Sequence, residues 1–99
     1  MAEKTLYYLQ NILKQHRPEL IRGYHVQSLG LFGSYVRQEQ HLGSDLDVLV
    51  SFTEPPSLLK FIALENYLTD LLGVKVDLVM QDALKPHIGQ HILHEVIDI

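Results

Sequence analysis

No cysteine occurs in the 99 residues, which excludes a disulfide framework and any zinc site built on thiolates, and suits a reducing compartment. No apolar run approaches the roughly 20 residues of a membrane-spanning helix, and the opening MAEKTLYYLQ lacks the apolar core of a signal peptide. A cytoplasmic protein without a membrane partner is therefore expected. Basic residues are also few: eight Lys and Arg stand against twelve Asp and Glu, for a net charge of −4. That balance argues against a nucleic-acid partner held by bulk electrostatics, though not against a small anion arriving with its own cation. Internal repeats, linkers and low-complexity tracts are missing as well. What remains is 46% hydrophobic, a chain expected to form a single domain over residues 1–99 and to bury roughly two-thirds of its unfolded surface.

The hydrophobic pattern alternates between helical and strand periods. Leu6, Leu9, Ile12 and Leu13 mark an amphipathic helix over about residues 3–16, which Pro18 is expected to interrupt, with a further turn over 19–22 before Gly23. Residues 26–32 read as a first strand ending at Gly33, 35–40 as a short helix, 41–44 as a loop and 45–52 as a second strand. Ser57 is a suitable N-cap for a helix with Phe61, Leu64, Leu68 and Leu71 on one stripe, closed by Gly73. Residues 74–80 read as a third strand. Pro86 opens a last helix to about Val96, with Ile88, Ile92 and Val96 inward. The class is α/β or α+β, with at least three strands. The helix after Ser57 is long enough for a crossover that makes strands two and three parallel.

Chemistry concentrates at Gly33-Ser34 and Asp45-Leu46-Asp47. Asp45 and Asp47 share a strand face about 6.6 Å apart, and at an effective dielectric near 20 their charges repel by up to about 2.5 kcal/mol. A divalent cation removes that repulsion and is well placed to hold nucleotide phosphates. Gly33 lets a ligand approach the backbone, Ser34 adds a hydroxyl, and Arg37 returns to the same end of the expected helix. If strands two and three are parallel, Asp77 can join the acidic pair on one face. Each feature alone has an ordinary reading, a tight turn or solvated carboxylates; their combination is what points to a site.

The segment LFGSYVRQEQHLGSDLDVLV closely resembles the signature of the nucleotidyltransferase superfamily with the DNA polymerase β-type palm. It is particularly similar to the minimal nucleotidyltransferases, which pair with helical HEPN proteins in prokaryotic toxin–antitoxin modules. Gly33, Ser34, Asp45 and Asp47 meet the pattern Gly-Ser, ten residues, Asp-x-Asp; Arg37 meets its Gly-Ser-x-x-Arg extension, and Asp77 falls where the third acid is expected. The resemblance implies a small mixed sheet with helices mainly on one face and the nucleotide across the other. It implies that Asp45, Asp47 and Asp77 hold Mg2+, two ions in all, that Gly33, Ser34 and Arg37 bind the phosphates of a nucleoside triphosphate, by analogy ATP, and that Asp77 helps activate the incoming hydroxyl. Two positions depart from the common pattern: Gln38, where many relatives carry Gly after the arginine, and Val36, where a small residue is common.

His87, His91 and His94 stand at i, i+4 and i+7, a spacing that can chelate a metal, but a solvated helix face is the favoured reading; Glu95 is placed on a different face from His91. Tyr35 is the aromatic nearest the turn, with core packing favoured over nucleotide contact. So short a chain leaves no residues for a second wall around the nucleotide. Self-association or another chain, by resemblance a HEPN toxin that receives AMP on a hydroxyl, is expected to supply it. The alternatives are an antitoxin acting by contact alone, with a vestigial site, and a small-molecule nucleotidyltransferase of the aminoglycoside-modifying type.

Overall fold

Burial decides where the first helix ends. The computed structural model describes residues 5–41 and 43–99, and of Ile88 only the backbone; the expectations for Glu3, Leu42 and the Ile88 side chain lie outside the described residues. Thr5 caps α1 (Leu6–Tyr24), its side chain accepting the Tyr8 N–H at 3.2 Å. Pro18 does not interrupt it. A proline inside a helix costs about 3 kcal/mol, but Leu20 is fully buried and Tyr24 packs on the core. Each large apolar side chain so buried contributes roughly 1.5–3 kcal/mol, so the helix continues through Gly23. It closes at His25, whose φ of 58° is left-handed and whose N–H reaches the Leu20 carbonyl.

Among the described residues four strands follow: β1 (Val26–Phe32), β2 (Leu46–Phe52), β3 (Val76–Met80) and β4 (Ile97–Asp98), in sheet order β3-β2-β1-β4. β1 runs antiparallel to β2 and β4, whereas β2 and β3 are parallel. The parallel pair is joined by α2 (Leu58–Leu72), the expected crossover, capped by Ser57 and closed by Gly73 at φ 70°. Its buried stripe is Leu64, Leu68 and Leu72; repeated steps of four put Leu72, rather than Leu71, beneath the helix. A 3-10 turn (Gln81–Ala83) leads to α3 (Pro86–Glu95).

Other expectations are corrected. Residues 35–40 form a run of turns instead of a helix: Val36 and Arg37 N–H bond back to the Gly33 carbonyl, Gln38 N–H to Tyr35 and Glu39 N–H to Ser34. These spacings of three, four and five never settle into one helical period. The third strand begins at Val76, two residues late, and Asp45 stands just ahead of β2. β4 was not anticipated, because two residues carry no readable alternation.

The core lies on one side of the sheet. Leu9, Leu13 and Leu20 of α1 and the three buried leucines of α2 meet Leu29, Leu31, Leu46, Val48, Val50, Val76 and Leu78. Two side chains of α2 cover the outer edge of β3: Glu65 accepts the Leu78 N–H at 2.9 Å, and Thr69 the Val76 N–H at 3.1 Å, which blunts an edge open to mispairing. The opposite face carries Asp47 and Asp77.

Candidate active site

Register brings the acids together. In the parallel pair Asp47 stands beside Asp77, and paired residues point to the same face. Asp45 adds its charge from two residues earlier. Burial first, then the neighbouring Asp77 and Asp45, push the Asp47 carboxyl up from an ordinary 3.8 to about 6, against a lowering pull from Arg37. The parallel crossover thus sets Asp77 beside Asp47, as its register required. Among the described residues no group of three or more His, Cys, Asp or Glu side chains is arranged to hold a metal ion. Oxygen-only donors with unneutralised mutual repulsion nevertheless fit a hard divalent cation such as Mg2+.

Gly33 is required by that geometry. Its φ is +83°, and a Cβ there would lie 1.9 Å from Asp47 Oδ2, so the turn leaving β1 lies directly on the acid. Ser34 follows, half-buried, and Tyr35 is buried in the core, as favoured. Gln38 adopts φ 59°, a conformation that suits glycine and explains why the departure at this position matters. Val36 packs partly buried against the core.

Across from the turn, α3 closes a cleft of about 420 Å3, with Gly33, Arg37 and Asp47 on one side and His91, Ile92 and Glu95 on the other. The placement of Glu95 on a different face from His91 is wrong. Residues four apart are neighbours on a helix, and both line this cleft. Glu95 Oε2 accepts the Gly33 N–H at 2.8 Å and Oε1 accepts from Arg37 Nη1 at 2.8 Å. Burial of Glu95 opposes its ionisation, but these two donors outweigh it and hold the carboxyl below its usual range. Arg37, bonded to Glu39 at 2.7 Å and to Glu95, is held more firmly protonated than a free guanidinium. His87, His91 and His94 are all exposed. Glu95 is the site residue that sequence reasoning missed; its only local signal was its spacing from His91.

These features, an acidic strand pair beside a glycine turn on the open face of a mixed sheet, define a class of phosphate-handling domain. The chain belongs to the nucleotidyltransferase domain family, whose pattern it matches over residues 10–99. It is 52% identical over 97 residues to the protein adenylyltransferase MntA of Thermococcus cleftensis, covering 98% of each chain. Its fold is similar to the solved structure of a candidate minimal nucleotidyltransferase, at TM-score 0.75 and 33% identity, over 92% of this chain and 95% of that one. It is also similar to a chain in a toxin–antitoxin complex with AMP-PNP, at TM-score 0.70 and 25% identity, over 86% of this chain and 70% of that one. The expected fold, a small mixed sheet with helices mainly on one face, is the one found.

Proposed function

We propose that this protein is a cytoplasmic protein adenylyltransferase, moving AMP from ATP to a hydroxyl on a helical HEPN toxin and so acting as its antitoxin. The observation that supports this most is the register of β2 and β3, which sets Asp47 beside Asp77 and both close to the Gly33 turn. The name of the Thermococcus relative and the AMP-PNP complex of a toxin–antitoxin neighbour support the donor and the type of partner. Asp45, Asp47 and Asp77 would hold Mg2+, two ions in this reading, whose charge when bound neutralises the triphosphate.

Ser34 and Arg37 bind and orient the phosphates, and Gly33, with no side chain, lets them approach the turn. The acceptor oxygen forms a bond to the α-phosphorus while the bond from that phosphorus to the bridging oxygen breaks and pyrophosphate leaves. Asp77 draws the proton from the acceptor hydroxyl. Positioning and charge neutralisation carry the rate more than covalent chemistry. The open face gives the acceptor chain direct access.

The test uses α-³²P-labelled ATP, Mg2+ and a lysate of the source organism, comparing wild type with Asp45→Asn/Asp47→Asn. A labelled protein band made by wild type alone is expected. A labelled small molecule would instead indicate the antibiotic-modifying type, and the absence of any label from folded protein would indicate an antitoxin working by contact.

A further inference from the structure

The end of α3 reaches the phosphate turn through one side chain. Glu95 grips the turn at two points four residues apart, the Gly33 N–H and the Arg37 guanidinium, each at 2.8 Å. The turn between those points has no regular hydrogen-bond pattern of its own, and the Arg37 side chain is half exposed. An arginine on such a turn has many orientations open to it unless a partner fixes one. Glu95 is suited to that task, because its own backbone is anchored on both sides. Ile92 accepts the Val96 N–H, Val96 lies over Gly30, and Ile97 and Asp98 pair with β1. Its side chain is only 22% exposed. Glu39 takes the Arg37 Nε at 2.7 Å. Two carboxylates therefore hold Nε and one N–H of Nη1, leaving the other guanidinium donors for a ligand.

We infer that Glu95 is a positioning residue for nucleotide binding: by bridging Gly33 and Arg37 it fixes the phosphate turn against α3 and aims Arg37 at the triphosphate. This rests on the reading of the cleft as a nucleotide site. It assigns Glu95 no contact with the reacting atoms.

Two measurements test it. Amide hydrogen exchange at Gly33 needs no nucleotide: protection in wild type that is lost in Glu95→Ala supports the clasp, and an unprotected wild-type Gly33 overturns it. Calorimetric titration with AMP-PNP and Mg2+ then compares wild type, Glu95→Ala, Arg37→Ala and the double variant, with melting curves confirming folding. Glu95→Ala is expected to weaken binding about tenfold, the worth of one charge-assisted hydrogen bond from a well-aimed Arg37 to the phosphates. The double variant is expected to lose less than the sum of the two single losses, because part of what Glu95 does runs through the arginine. Unchanged affinity or additive losses would reduce the contact to a fold-stabilising one, and tighter binding would make Glu95 a competitor for the phosphate subsite. Should Glu95→Ala unfold, Glu95→Gln, which keeps the size and one acceptor, is expected to lose about threefold. Wild type that fails to bind AMP-PNP while Gly33 stays protected would refute the nucleotide reading separately from the clasp.

Discussion

Gly33 carries two constraints that only glycine meets together, a φ of +83° and an approach to Asp47 that leaves no room for a Cβ. Gly33→Ala is therefore expected to cost about 2–4 kcal/mol in urea unfolding, from left-handed strain plus overpacking, and to abolish AMP transfer because the turn is displaced from the acid. Gln38 shows the opposite case. It sits at φ 59° with a side chain that the conformation disfavours, and Gln38→Gly is expected to stabilise the protein by about 1 kcal/mol in the same assay. The Gly-Ser and Asp-x-Asp residues were legible in the sequence because their chemistry is local. Glu95 was not, since its partners stand 62 and 58 residues away.

At the scale of elements, α1 sets local propensity against tertiary burial. Pro18 lies on its exposed side with no N–H to donate, yet Leu20 behind it is fully buried. Pro18→Ala is expected to stabilise by about 1–3 kcal/mol, since it restores the missing hydrogen bond without disturbing the packed face; thermal unfolding checks it. The helix after Ser57 was readable at both ends, from cap to closing glycine, because capping is written locally, though its buried stripe ends on Leu72 instead of Leu71. The turns of residues 35–40 were not. A short helix was expected there, but Tyr35 is drawn into the core and the bonds to Gly33 and Ser34 pull the segment out of register.

The whole molecule stores charge repulsion on its open face. Folding raises the Asp47 pKa from 3.8 to about 6, so folding favours the protonated form. On this group alone, stability is fully present below about pH 3.8 and is lost as pH rises through about 6. In metal-free buffer the melting temperature of wild type is expected to fall, relative to Asp47→Asn, across that window. Asp47→Asn should melt higher at neutral pH while losing transfer activity, a stability gain at a functional site. Mg2+ should raise the wild-type melting temperature at neutral pH and do little near pH 4, where protons hold the carboxylates. A melting temperature of Asp47→Asn that tracks wild type at every pH would refute this account. Among the described residues no helix is long and apolar enough to cross a membrane.

Composition, periodicity and spacing by themselves determined the first, crossover and last helices, three of the strands, the caps of α2, the crossover length and the residues of the acidic and glycine motifs. All of these depend on chemistry within a few residues of one another. The tertiary structure alone decided that α1 runs past its proline, that a two-residue strand closes the sheet, that Asp77 stands in register with Asp47, and that Glu95 holds the turn after Gly33. Each of those results from burial or hydrogen bonding between segments far apart in the chain, where period and propensity carry no information about which partner is met.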